Sequence, residues 1–209
     1  EITRIASKFN LSGNKLIKNS NLGYIRNKIS LPSIGVGGYC LPKDPILFSK
    51  FLDKSEGYIL GRASRRINNN NIKESLKRIL KEKKMFKNVL ILGATFKGLP
   101  ETIDIRNSPS IEISKLLKKI SKKIEFYDVM QREIGFNNKK LEIKFVKNLN
   151  TLNNFDLIIL ANNHPEYVQI IESEKGIKFN KKGKKIIFDP WCLLNQDLIL
   201  KQNWKYISL

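Results

Sequence analysis

The chain is short of the residues that most often carry chemistry. In 209 residues it holds one histidine, His164, two methionines, two tryptophans and two cysteines. Cys40 and Cys192 cannot build a disulfide framework, and a reducing compartment, the cytoplasm, is the expectation. No apolar stretch approaches the roughly 20 residues of a membrane helix; the longest runs are of the size of Leu157–Ala161. No signal-peptide pattern opens the chain, and no membrane or metal partner is expected. It starts at Glu1 without a Met, which reads as a piece of something longer. Acidic residues are scarce, 19 against 39 Lys and Arg, leaving a formal charge of +20.

That charge suits a phosphate-rich partner. It also suits compositional bias. The excess is mostly lysine rather than arginine and is spread along the chain, and lysine, asparagine and isoleucine recur in runs such as Asn68–Asn71 and Lys181–Lys185. A nucleic-acid surface would show clustered arginine with interleaved aromatics. The bias reading, with a solvated basic face, is therefore preferred and no nucleic-acid partner is expected. Hydrophobic residues make up 41% of the chain, enough for a real core.

Residues 1–84 read as helical. Ile2, Ile5, Ala6 and Phe9 recur at helical spacing, Gly13 closes that segment, and Leu16–Ile25 follows as a short helix. Ser30–Tyr39, with Pro32, Gly35, Gly37 and Gly38, is a loop or tight turn. Asp44-Pro45 looks like a cap and first residue of a further helix. Ile59–Ile67 and Ile72–Lys84 read as two more. The pattern changes near Met85. Asn88–Gly93 is a short, almost wholly apolar run, as a parallel strand covered on both faces requires. A helix over Ser108–Ile120 and strands at Ile124–Tyr127, Ile143–Val146, Asp156–Ala161 and Lys185–Asp189 complete an α/β pattern. It predicts a Rossmann-like, doubly wound parallel sheet over 85–209 after an all-helical segment over 1–84.

The sharpest local feature is Gly35-Val36-Gly37-Gly38-Tyr39-Cys40-Leu41-Pro42-Lys43-Asp44-Pro45. Glycines admit close backbone approach and positive φ. The cysteine follows them at a helix start, where the dipole and Lys43 favour a thiolate. Asp44 is near enough to accept a proton or orient a water. A nucleophilic thiol, a cation and a carboxylate in one turn are what covalent acyl chemistry needs. Cys192 has no motif around it and reads as structural, and His164 as a packing or capping residue.

This string resembles the catalytic-cysteine motif of the UDP-glucose/GDP-mannose dehydrogenase family. Gly93-Ala94-Thr95-Phe96-Lys97-Gly98 and Asp104-Ile105-Arg106-Asn107-Ser108-Pro109-Ser110 are similar to the family's strand-end Phe-Lys turn and its Asp-x-Arg-x-Ser-Pro segment. Tyr127-Asp128, the strand before His164, and Phe188-Asp189 follow in the family's order. The resemblance implies a central helical dimerisation part and a C-terminal UDP-sugar domain. It implies oxidation of a sugar C6 alcohol to a carboxylate in two NAD-dependent steps, through a thiohemiacetal and a thioester on Cys40, for surface polysaccharide synthesis. Asp44 would orient or activate water. Lys43 and Arg106 match positions near the nicotinamide cofactor. Phe96 and Lys97 match the nucleotide end of the substrate. Ser33 and Gly35 lie in a substrate-contacting loop, and Arg26 matches a substrate contact made across a homodimer.

The chain also departs from the family. No G-x-G-x-x-G follows a strand, and Gly93 to Gly98 is no P-loop, since Leu99-Pro100 stands where Lys-Ser/Thr belongs. The expectation is the C-terminal part of a longer enzyme, inactive alone. Trp191 in Asp189-Pro190-Trp191 stands where many UDP-glucose members carry arginine, and the wording around Cys40 leans toward UDP-N-acetylhexosamines. Two other classes remain open: a basic nucleic-acid-binding module, and a non-catalytic dimerisation fragment.

Overall fold

The computed structural model describes residues 1–9, 11–49, 59–137, 143–149, 152–181 and 183–209. Strands β1 (Phe86–Leu92), β2 (Ser121–Tyr127), β3 (Leu157–Leu160), β4 (Ile186–Phe188) and β5 (Lys205–Ile207) form one sheet in the order β2-β1-β3-β4-β5. Every neighbouring pair is parallel. Parallel pairing needs crossovers, and helices α5 (Pro109–Leu117), α6 (Gln131–Asn137), α7 (Glu166–Glu172) and α8 (Gln196–Lys201) lie in the connections.

The apolar run of β1 serves both faces. Val89 and Ile91 join Ile113 and Leu117 of α5 on one side. Leu90 and Leu92 join Tyr167, Ile171, Ile199 and Trp204 on the other. Alternation along a strand sends successive side chains to opposite faces, so a strand buried on both sides has no polar position to spare.

The helical segment comprises α1 (Ile2–Lys8), α2 (Gly13–Ser20), α3 (Cys40–Phe48) and α4 (Ile59–Glu82). Three readings of the sequence shift here. Gly13 opens α2 rather than closing α1, because the Ser12 side chain accepts the Lys15 N–H as an N-cap. The helix predicted from Asp44 begins at Cys40, with Pro45 inside it. The two helices expected at 59–67 and 72–84 are one, running straight through Asn68–Asn71. Its second half carries Ile72 and Ile79 into the core shared with β1 and α5. That packing outweighs the weak helix propensity of asparagine.

The strand expected at 143–146 is reduced to a single bridge, Phe126 to Phe145, on the edge of β2. β5 and the short helices α6, α7 and α8 carry no sequence signal strong enough to have been read. Among the described residues no helix is long and apolar enough to cross a membrane.

Candidate active site

The segment before α3 is irregular because its backbone is committed elsewhere. The Ser33 hydroxyl donates to the Gly35 carbonyl at 3.0 Å. Asn68, from the middle of α4, accepts the Val36 N–H at 2.6 Å and donates to the Val36 carbonyl at 3.0 Å, as a neighbouring strand would. A Cβ on Gly37 would lie 2.5 Å from the Asn107 carbonyl and 2.9 Å from Phe96 Cβ, so only glycine fits. Gly38 sits at φ +89° against the Phe96 ring. Its N–H donates to the Arg106 carbonyl at 2.9 Å, and Asn107 Nδ2 donates to its carbonyl at 3.0 Å. The glycine loop is thus docked onto the segment beyond β1.

Cys40 is the first residue of α3 and is exposed. Lys43, one turn on, has its Nζ 4.3 Å from the centre of the Tyr39 ring and 3.3 Å from Asp44 Oδ1. Arg106 lies 4.6 Å from the same ring and forks onto both oxygens of Asp104. Its guanidinium holds the Asp104 carboxyl below the usual carboxylate range, chiefly through those hydrogen bonds. The Asp44 hydrogen bond raises Lys43 in turn, and a thiolate at Cys40 adds a smaller attraction to both cations.

At the carboxyl end of β1 the chain turns at Gly93, φ +99°, where a Cβ would fall 2.5 Å from the Asn162 amide carbon. The turn is held from inside. Asp128, buried at the end of β2, accepts the Ala94 N–H at 2.8 Å, the Thr95 N–H at 3.0 Å and the Thr95 hydroxyl at 3.0 Å. Gly98 donates to Asn163 Oδ1 at 3.1 Å, and its Cα presses so closely on His164 that a Cβ would lie 2.3 Å from the His164 nitrogen. His164 Nδ1 accepts the Glu166 N–H at 3.2 Å while Nε2 faces Glu101 at 3.0 Å. The turn leaves Phe96 and Lys97 half-exposed, with Lys97 Nζ 5.5 Å from the Phe96 ring centre.

Behind the Leu31–Gly35 loop lies a cleft of about 360 Å³, lined by Ser33, Gly35, Asn68, Ser75 and Arg78 among others. Ser75 is fully buried and its hydroxyl has no partner among the described residues. At the end of β4, buried Asp189 accepts the Trp191, Leu193 and Leu194 N–H groups and the Tyr206 hydroxyl. Burial nonetheless pushes its carboxyl up from the ordinary range.

Of the residues singled out in the sequence, Cys40, Lys43, Asp44 and Arg106 gather around Tyr39, and Phe96 packs on the glycine loop that leads to them. Ser33 and Gly35 line the cleft. Arg26 is exposed on a different feature, the loop that Asn21 closes through two 2.8 Å bonds to Ile29. Sequence reasoning missed Tyr39, Asn107 and Asn68. Asn68 was hidden in a run that reads as compositional bias, and nothing local marks it.

The match to known proteins spans this whole arrangement. Residues 90–196 match the model of the UDP-binding domain of the UDP-glucose/GDP-mannose dehydrogenase family. A UDP-N-acetyl-D-mannosamine dehydrogenase of Pyrococcus horikoshii is 28% identical over 202 residues, covering 91% of this chain and 44% of the relative. A UDP-N-acetyl-D-glucosamine 6-dehydrogenase of Salmonella typhi is 31% identical over 172 residues, covering 74% of this chain and 36% of the relative. The solved UDP-D-ManNAc dehydrogenase of Pyrococcus horikoshii superposes with a TM-score of 0.75 over 99% of this chain and 46% of its own, at 24% identity, which shows the shared fold. The chain spans less than half the length of these relatives. It belongs to the UDP-glucose/GDP-mannose dehydrogenase family and carries that family's UDP-binding domain.

Proposed function

We propose that this chain is the thiol-bearing and UDP-sugar-binding part of an NAD-dependent UDP-sugar 6-dehydrogenase acting on a UDP-N-acetylhexosamine. One observation carries the reading. The exposed Cys40 opens a helix next to Tyr39, whose ring holds two cations, on a glycine loop docked against the Phe96–Lys97 turn of the UDP-binding domain. Ligands of parallel α/β sheets bind beyond the carboxyl ends of the strands, and that turn follows β1 directly. Residues 1–84 then form a helical, dimer-forming part and 85–209 the nucleotide-sugar domain. The names of the relatives, mannosamine and glucosamine derivatives, support the N-acetylhexosamine.

The roles follow from position. Phe96 offers a ring face to the nucleotide, and Lys97 a cation to its diphosphate. Ser33 and Gly35, in the cleft, are assigned to the substrate of this chain, and Arg26, on the separate loop closed by Asn21, to the substrate held by the other protomer of a homodimer. Cys40 sulfur adds to the C6 aldehyde: the S–C bond forms, and the carbonyl electron pair moves to oxygen, which takes a proton. The later thioester is opened by a water that Asp44 orients, releasing the carboxylate and restoring the thiol. Lys43 and Arg106, beside the thiol, are placed to face the cofactor.

The chain's own sheet does not fit a dinucleotide. The Ala94 and Thr95 N–H groups that could cradle a pyrophosphate are already taken by Asp128. The oxidations therefore rest on NAD bound outside this sheet, and this chain alone turns nothing over.

The test is thermal stabilisation by UDP-N-acetylmannosamine, UDP-N-acetylglucosamine, UDP-glucose and GDP-mannose. A UDP-N-acetylhexosamine raises the midpoint most, Lys97→Ala loses the effect, and Cys40→Ser keeps it. Stabilisation by GDP-mannose alone, or equal effects in Lys97→Ala, would overturn the assignment.

A further inference from the structure

All five strands run parallel, so their starting ends lie along one edge, away from the Cys40 loop and the Phe96 turn at the finishing ends. Along this edge the chain places Lys87 on β1, Lys122 and Lys123 on β2, Lys184 and Lys185 before β4, and Lys205 at the start of β5. The end of α4 adds Lys81, Lys83 and Lys84. The row of strands is about 19 Å wide at the usual 4.8 Å spacing.

Compositional bias explains the number of lysines but not their placement. Carboxylates at this edge are few and already shared. Glu82 faces Lys184 at 2.5 Å and Lys205 at 3.6 Å, Asp156 holds Lys83 at 2.7 Å, and Glu125 holds Lys123 at 2.6 Å. Lys84, Lys87 and Lys122 are exposed and have no ion pair among the described residues.

One pair of like charge is set side by side across the sheet. Phe86 registers with Ser121 and Asn88 with Lys123, so Lys87 and Lys122 are cross-strand neighbours on one face. Such a pair is destabilising. A surface that keeps such repulsion is relieved by an anionic partner.

We propose that this edge is a docking surface for an anionic lipid bilayer, holding the chain with its Cys40 loop turned away from the membrane. Three features favour headgroups over nucleic acid. No arginine lies in 81–88, 119–123, 183–187 or 201–205, so forked phosphate or base recognition is absent there. Of the aromatics described at the edge, Phe86 and Trp204 are buried and Phe179, beside Lys178, is exposed, a single ring where single-strand binding uses successive stacking platforms. Met85 and Leu200 stand exposed among the lysines, apolar tips suited to a headgroup layer. The proposal is independent of the enzymatic reading and departs from the solvated-face reading of the charge.

The experiment is co-sedimentation of the full chain with vesicles of phosphatidylcholine, alone or with one third phosphatidylglycerol, with a duplex DNA competitor. The expected result is binding to the anionic vesicles only, weakened by salt. Lys84→Ala/Lys87→Ala/Lys122→Ala lowers that affinity roughly a hundredfold, from the usual contribution of each lysine at such a surface. The control Lys8→Ala/Lys15→Ala/Lys18→Ala, of equal charge change in α1 and α2, lowers it far less. Unfolding midpoints of both variants confirm that they fold. No binding to anionic vesicles, equal loss in the control, or duplex DNA bound more tightly than vesicles and lost with the same three lysines would each overturn the proposal.

Discussion

Asn68→Ala isolates the tie between α4 and the cysteine loop. The side chain makes two hydrogen bonds to Val36, at 2.6 and 3.0 Å. A typical net value is about 0.5–1.5 kcal/mol each. Val36 is exposed, so its freed N–H and carbonyl regain water and the loss stays at about 1–2 kcal/mol in total. In a chain of this size that is a midpoint drop of about 2–8 °C. The local effect is sharper, since the Val36 amide should exchange about tenfold faster for each 1.4 kcal/mol lost. Asn68→Asp keeps an acceptor for the Val36 N–H but sets a charged oxygen against the Val36 carbonyl, and should fall between Asn and Ala. Thermal unfolding with amide hydrogen exchange measures both. Asn69→Ala, one residue on and exposed, is the control. If Asn68→Ala matches that control in midpoint and in Val36 exchange, the clamp has no energetic content and the argument fails.

Gly37→Ala should cost more than a surface glycine change, about 1–3 kcal/mol, because its Cβ meets a backbone carbonyl that cannot swing aside; Gly135→Ala, outside the positive-φ region and with open space around it, is the comparison in urea unfolding. Asp128→Ala strands the Ala94 and Thr95 N–H groups and should destabilise by about 3–5 kcal/mol, abolishing UDP-sugar stabilisation as the Phe96–Lys97 turn loosens. Asp156 is held below the usual carboxylate range: burial opposes this, but the Lys83 pair and the Lys87 and Asn88 N–H groups outweigh it. A carboxylate depressed in the folded state stabilises above its unfolded pKa of about 3.9 and loses that contribution as pH falls through its folded value. Wild type should therefore lose more stability than Asp156→Asn between pH 6 and pH 3 in urea titrations; equal losses would show that the pair contributes nothing.

The elements easiest to read were those whose pattern is local. The apolar run of β1 announced a parallel strand, and the glycines before Cys40 announced a loop or tight turn. The start of α3 was misplaced because Asp44-Pro45 mimics a helix opening, whereas the docked Gly37–Gly38 backbone sets the start at Cys40. α4 was split in two because asparagine lowers helix propensity, and the burial of Ile72 and Ile79 that overrides it depends on a sheet beginning at Phe86. β5 is three residues long, too short for any period to register.

By itself the sequence determined the fold class, the thiol loop and the Phe96–Lys97 turn, because strand burial, glycine torsions and motif spacing are encoded within a few residues of one another. Only the tertiary structure decided that Asn68 clamps Val36, that Tyr39 lies beside both Lys43 and Arg106, and that lysines dispersed from 81 to 205 share one edge. Those facts depend on which distant segments the parallel sheet brings side by side, and no local pattern carries that information.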